Sequence, residues 1–161
     1  MALVFTVLDG RNHDRGGFAC GVAALDDYLH HRAGQHQRDG IATTHVLIDD
    51  ALPARILGYC SLSAAQVHLG ELREEDRKRL PAYPVPAIRV GRLAVSQTEK
   101  GRGYGQLLLG HAVNLAMSVR QTMGGRVLVV DAKDAAVAAF YEGFGFRRTA
   151  NATLTLYLPI G

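Results

Sequence analysis

Gly101, Gly103 and Gly105 occupy every second position in the segment Arg92-Leu93-Ala94-Val95-Ser96-Gln97-Thr98-Glu99-Lys100-Gly101-Arg102-Gly103-Tyr104-Gly105. An apolar run precedes them and a long helical pattern follows. Glycine lets the backbone take a positive φ and lie close to a ligand. The first turn of a helix adds unpaired N–H groups and a partial positive charge. A strand, a glycine loop and a helix start in that order form an anion site suited to phosphate or pyrophosphate. A simple tight turn has the same composition. The loop is not GxxxxGK[ST], and Gln106 stands where GxGxxG requires a third glycine, so neither common nucleotide loop is present.

Other reactive side chains are dispersed. Cys20 and Cys60 are isolated, with no CxxC spacing and no secretory leader, so neither a disulfide nor a structural zinc site is expected. His30, His31, His36, His45, His68 and His111 form no ligand or triad spacing, and no metal is expected. No general base stands out. Tyr141, in Ala139-Phe140-Tyr141 at the end of a short helical pattern, reads as a packing tyrosine.

The elements that must position these groups alternate along the chain. Residues 2–8 and 42–48 read as strands, and 56–67 as a third that pairs with the second across the loop at Pro53. Residues 22–38 read as one helix, with Leu25, Leu29 and Ala33 on one stripe. The charged run 70–80 reads as an exposed short helix. Pro81, Pro84 and Pro86 delay the next strand to 88–95. Residues 104–123 form the clearest helix, with Leu108, Ala112, Leu115 and Val119 inward and Gly124-Gly125 as its stop. Residues 127–130 are wholly apolar, as in a strand covered on both faces. Asp134 caps a helix ended by Gly143 and Gly145. Residues 153–158 close the chain as a strand. The pattern is a mixed α/β domain over 1–161 with a strand–helix–strand unit at 88–130.

Composition removes whole classes. The 161 residues suit one domain, and 48% apolar content is that of a folded chain. No apolar run approaches the ~20 residues that span a bilayer. Without a leader, a cytoplasmic location is expected. Charge is uneven: residues 1–80 carry 9 basic and 11 acidic side chains, while 81–161 carry 9 and 4, nets of −2 and +5. A basic second half fits an anionic ligand or nucleic acid, and equally a solvated surface.

Lys100-Gly101-Arg102-Gly103-Tyr104-Gly105 resembles the pyrophosphate loop of the GNAT superfamily of N-acetyltransferases, whose usual form is Gln/Arg-x-x-Gly-x-Gly/Ala. Lys100 departs from the first position but keeps a charge and a donor. Arg92-Leu93-Ala94-Val95 resembles that superfamily's fourth strand. Phe140-Tyr141 and Gly143-Phe144-Gly145-Phe146 resemble its last helix and closing turn. The resemblance implies a GNAT-like, mostly antiparallel twisted sheet flanked by helices, with two central strands splayed around acetyl-CoA. It places the pantetheine arm along Leu93, Ala94 and Val95, and the pyrophosphate on Lys100, Gly101, Arg102, Gly103, Tyr104 and Gly105. Phe140 lies at the cofactor, and Tyr141 is the acid for the leaving thiolate.

Phe18-Ala19-Cys20-Gly21 followed by Leu25-Asp26, Tyr28-Leu29 and Ala33 resembles the signature of the GNAT toxins of toxin–antitoxin pairs. Gly58-Tyr59-Cys60-Ser61-Leu62-Ser63 and Pro84-Val85-Pro86 are further matches. This implies acetylation of the α-amine of aminoacyl-tRNA, a homodimer, and a ribbon-helix-helix antitoxin as partner. An α-amine with a pKa near 7.7–8.0 is partly neutral at physiological pH and needs no dedicated base. Candidate tRNA contacts are Arg38, Arg77, Lys78, Arg79, Arg147 and Arg148, and above all Arg89 and Arg92 on the strand leading to the site. One of the last two can instead be a structural ion pair. A small-molecule or protein-lysine acetyltransferase and a non-catalytic acyl-CoA-binding module are the alternatives.

Overall fold

A computed structural model describes residues 2–81, 84–150 and 154–160. The strands are Leu3–Val7 (β1), Thr43–Asp49 (β2), Gly58–Val67 (β3), Val85–Val95 (β4), Val127–Asp131 (β5), Arg147–Arg148 (β6) and Thr155–Pro159 (β7). The helices are Ala23–His31 (α1), Ala33–Arg38 (α2), Glu74–Arg77 (α3), Tyr104–Met123 (α4) and Ala135–Glu142 (α5). Among the described residues the sheet order is β1-β2-β3-β4-β5-β7-β6. The β1–β2, β2–β3, β5–β7 and β6–β7 pairs are antiparallel and β4–β5 is parallel. The mixed, mostly antiparallel sheet and the strand–helix–strand unit are therefore as expected.

Several boundaries differ. The helix expected over 22–38 is two, with Arg32 at φ −124° between them. Hydrogen bonding continues through it, from Arg32 N to Tyr28 O and from His36 N to Arg32 O. No helix breaker marks the position, so the periodicity runs across it. β3 begins at Gly58 rather than 56. β4 begins at Val85, because Pro86 needs only its carbonyl, which accepts from Arg126 N at 2.8 Å. The run 70–80 holds a 3-10 turn, Leu69–Glu71, and the four-residue α3. The closing strand is Thr155–Pro159; Thr153 lies outside the described residues.

The chain forms two compact units: residues 1–63 with 91–112, and residues 64–90 with 113–161. In the first, Phe18, Cys20, Tyr28, Leu29, Ala33, Tyr59 and Ala94 share one buried cluster. Tyr59 donates to Leu25 O at 2.6 Å and meets the Phe18 ring edge-on at 5.5 Å. Cys20 N donates to Asp26 Oδ1 at 2.8 Å. The amino-terminal signature is thus largely the packing of one core. Each large apolar side chain buried there contributes about 1.5–3 kcal/mol.

In the second unit, Val67, Leu72, Val85, Ala87, Val127, Val129 and Tyr157 form the core. Val127, Leu128, Val129 and Val130 are all buried, as a strand covered on both faces requires. Asp134 caps α5 by accepting from Val137 N at 2.9 Å.

α4 spans the expected residues. Gly124, at φ +93°, stops it, with its N–H donating to Val119 O and Arg120 O. Leu108 and Ala112 are fully buried, while Leu115 and Val119 are half-buried. Gly58 shows why β3 starts with glycine. A Cβ there would stand 2.8 Å from Leu108 Cδ1 and 3.0 Å from Ala94 O. We expect Gly58→Ala to lower unfolding free energy by about 1–3 kcal/mol through overpacking, measured by urea denaturation.

Candidate active site

β4 changes partner status along its length. Its register with β5 runs from Ala87↔Val127 to Val90↔Val130 and stops there. The remaining residues, Gly91 to Val95, include Leu93, Ala94 and Val95, the run expected to hold an extended ligand. Ala94 is buried in the core, while Leu93 and Val95 are half-buried. A strand edge beyond the end of a register presents backbone donors and acceptors to any extended amide-bearing chain.

The chain leaves β4 through a 3-10 turn, Gln97–Glu99, fixed by Ser96 N to Leu57 O and Gln97 N to Ala19 O, at 2.8 and 2.9 Å. Glu99 is 6% exposed and binds Arg55 Nη2 at 2.8 Å and Arg102 Nε at 3.3 Å. The same Arg55 nitrogen donates to Thr98 Oγ1 at 2.8 Å. Glu99 therefore ties the end of the turn to Arg55 and to the glycine loop at Arg102, whose amide faces the loop while its side chain serves Glu99.

Gly101 and Gly103 adopt φ +85° and +79°, which other residues reach only with strain. α4 starts at Tyr104, and Leu107 N is bonded to Gly103 O. The amides of Tyr104, Gly105 and Gln106 precede Leu107 N, the first helical donor, and stay available. Lys100 is exposed beside them. The loop chemistry therefore suits a pyrophosphate: backbone amides, a helix N-terminus and one exposed cation.

In the second unit, Tyr141 sits in the last turn of α5 and is 5% exposed. Its ring lies 5.4 Å from Phe140 and 5.5 Å from Phe146. Phe140 is half-buried and stacks edge-on with Phe144. Gly145, at φ +91°, turns the chain so that Phe146 N returns to Tyr141 O. The buried position of Tyr141 makes it part of a shaped aromatic cluster rather than a surface side chain.

The two favoured arginines have different environments. Arg89 is ion-paired with Asp131, which also accepts from Thr155 Oγ1 at 2.9 Å. The Arg92 guanidinium carbon stands over the face of the Tyr28 ring, 3.6 Å from its centroid. Arg89 is thus the structural ion pair of the alternatives left open. Of the weaker candidates, Arg147 is bound to Asp76 and Arg148 to Glu142.

An acetyltransferase (GNAT) domain profile matches residues 40–148. The chain belongs to the GNAT acetyltransferase family. Acetyl-CoA is the co-substrate of that domain. A tRNA-acetylating toxin of Mycobacterium tuberculosis (strain ATCC 25618 / H37Rv) is 32% identical over 145 residues, covering 90% of this chain and 85% of the toxin. The solved structure of AtaT complexed with acetyl-methionyl-tRNAfMet aligns with TM-score 0.91 and 25% identity, covering 98% of this chain and 95% of AtaT. AtaTR bound with AcCoA aligns with TM-score 0.84 and 27% identity, covering 98% and 94%.

Within this GNAT chain, sequence reasoning missed three groups. Glu99 organises the loop, but its partner Arg55 is remote in sequence. Tyr28 beneath Arg92 read only as a signature residue. His45 and His111 read as scattered, yet His45 Nδ1 and His111 Nε2 are 3.3 Å apart, with Phe5 stacked on His111 at 4.2 Å. Burial lowers the pKa of both rings, and for His45 the neighbouring His111 adds to the effect.

Both thiols are held protonated. Burial raises Cys20 and pushes Cys60 up to about 12. Neither is suited to act as a thiolate nucleophile.

The histidine pair predicts a pH dependence of stability. Unfolded imidazoles bind protons near pH 6.5, and the folded chain binds them less readily. Melting temperature should fall as pH drops below about 6.5, until the lowered folded values are passed. His45→Gln with His111→Gln should flatten that segment of the curve, measured by calorimetry between pH 7.5 and 5.

Proposed function

We propose that the protein transfers the acetyl group of acetyl-CoA to the α-amine of aminoacyl-tRNA, and so acts as a translation-blocking toxin. The observation carrying this reading is the β4–loop–α4 segment, where the strand runs on past its β5 register into two left-handed glycines and a helix N-terminus. Its support as a toxin comes from the tRNA-acetylating relative and the AtaT complex described above.

Leu93, Ala94 and Val95 bind the pantetheine amides through their backbone. Lys100, Gly101, Arg102, Gly103, Tyr104 and Gly105 bind the pyrophosphate, with Arg102 acting through its amide. Phe140 packs against the cofactor. Acetyl-CoA supplies an activated thioester. The neutral amine attacks the carbonyl carbon, the C–S bond breaks, Tyr141 protonates the leaving thiolate, and the proton released by the attacking nitrogen passes through solvent to restore Tyr141. Backbone N–H groups near Leu93–Val95 stabilise the carbonyl oxygen as it gains charge. Arg92 contacts the acceptor, and Arg89, already neutralised by Asp131, has the smaller part.

We read residues 1–161 as a single domain, since β3, β4 and α4 each run through both compact units. In the same reading the protein is cytoplasmic, forms a homodimer and is held by a ribbon-helix-helix antitoxin. Among the described residues no helix is long and apolar enough to cross a membrane.

Cell-free translation tests the proposal. Added protein should arrest synthesis only when acetyl-CoA is present. Tyr141→Phe should keep its acetyl-CoA affinity and lower turnover by roughly 100-fold or more. Arrest without acetyl-CoA, or full activity of Tyr141→Phe, contradicts the corresponding part. Transfer to free amines or lysine peptides without arrest favours the alternative acetyltransferase reading. Binding of acetyl-CoA without any transfer favours a non-catalytic module.

A further inference from the structure

We propose that Tyr28 is a positioning residue for an oxyanion site at Arg92, and that this site holds a phosphate of the acceptor nucleic acid near the point of transfer. The inference rests on the aminoacyl-tRNA reading above. Tyr28 is 2% exposed, and its neighbour Leu29 is fully buried in the same core. Its hydroxyl shares a 3.0 Å hydrogen bond with His36 Nδ1, and the two rings meet at 65° with centroids 5.3 Å apart. The ring is therefore held at its edge by the core and at its tip by α2. Arg92 rests on the face of this fixed ring at 3.6 Å.

A guanidinium attracted to the face of a ring gives no N–H donor to a carboxylate and keeps its charge. A carboxylate partner has the opposite effect, because it occupies the edge and cancels the charge. Arg89 is in that second state, bound to Asp131. Among the described residues Arg92 has no carboxylate within ion-pair distance. Two arginines on one strand thus differ in kind: one is neutralised, and the other is pinned with its charge intact. The planar fork left open matches two oxygens of a phosphate. Arg92 immediately precedes the run proposed to hold the thioester arm, so a phosphate bound there lies beside the reacting amine. His36 supports this indirectly by fixing Tyr28.

The phosphates of acetyl-CoA share this chemistry, so kinetics must separate the two sources. Both substrates should be varied for the native enzyme, Arg92→Ala, Tyr28→Met, Tyr28→Phe and the Arg92→Ala/Tyr28→Met double variant. We expect Arg92→Ala and Tyr28→Met each to raise KM for aminoacyl-tRNA roughly 3- to 30-fold. KM for acetyl-CoA and kcat should stay within about twofold. The double variant should be no worse than Arg92→Ala alone, since the two residues act as one unit. Tyr28→Phe keeps the ring and should retain most acceptor affinity.

A rise in KM for acetyl-CoA instead would place the site on the donor and overturn the proposal. Additive effects, or a normal acceptor KM in Tyr28→Met where Arg92→Ala is impaired, also overturn it. Should Tyr28→Met fail to fold, the native protein still decides the matter by NMR. The Arg92 Nε–H resonance should carry a ring-current shift, and it should move when deacylated tRNA is added but not with acetyl-CoA. A resonance with no ring-current shift, or one indifferent to deacylated tRNA, contradicts the assignment. An Arg92→Ala enzyme with normal acceptor KM overturns this inference and leaves the aminoacyl-tRNA reading standing, whereas a native enzyme that acetylates no aminoacyl-tRNA removes that reading and this inference with it.

Discussion

The proposed chemistry depends on β4 losing its β5 partner after Val90. A paired strand would spend its N–H and C=O groups on its neighbour. Because the parallel register stops, the strand end offers those groups to an extended ligand, and the chain then turns into the glycine loop. Leaving such groups unmade when buried costs about 1–3 kcal/mol each, so a ligand that pairs with them gains directionality as well as binding. The loop continues the same device, since its binding groups are again backbone amides, aimed by Gly101, Gly103 and the start of α4. A site built mainly from backbone requires few particular side chains, but it requires glycine where φ is positive and a firm anchor beneath. Buried Glu99, held by Arg55 and Arg102, is that anchor.

Local pairing changes the meaning of the charge asymmetry. The second half of the chain has a net charge of +5. Arg89 is matched by Asp131, Arg102 by Glu99, Arg147 by Asp76 and Arg148 by Glu142. Much of the apparent basic field is therefore committed to holding the fold. Lys100 and Arg92 stand out because they lie at the proposed site without such a partner among the described residues. For a polyanionic acceptor, the placement of these two charges matters more than the sum, because phosphate contacts act at short range in physiological salt.

Legibility in the sequence followed the range of the interaction. α4 was readable because its apolar residues recur at helical spacing and Gly124 ends it. β5 was readable from four consecutive apolar residues, and α5 from Asp134. The break at Arg32 was hidden because no residue there disfavours helix. The early start of β4 was hidden because proline normally interrupts a strand, and only the partner Arg126 reveals that the Pro86 carbonyl suffices. β6 has two residues and no pattern to detect. The glycine loop was local and visible, whereas its anchor Glu99–Arg55, the pair His45–His111 and the contact of Tyr28 with Arg92 join residues far apart in sequence. Such contacts follow from the tertiary arrangement, and residue type alone does not mark them.

The central claim is that acetyl reaches the α-amine of an amino acid esterified to tRNA. The most direct measurement is incubation of the native protein with labelled acetyl-CoA and aminoacylated tRNA, followed by nuclease digestion and mass spectrometry of the 3′-terminal aminoacyl-adenosine. The account predicts an added acetyl group on the amino-acid nitrogen and none on deacylated tRNA. Label found only on protein lysines or free amines, with unmodified aminoacyl-adenosine, would contradict it.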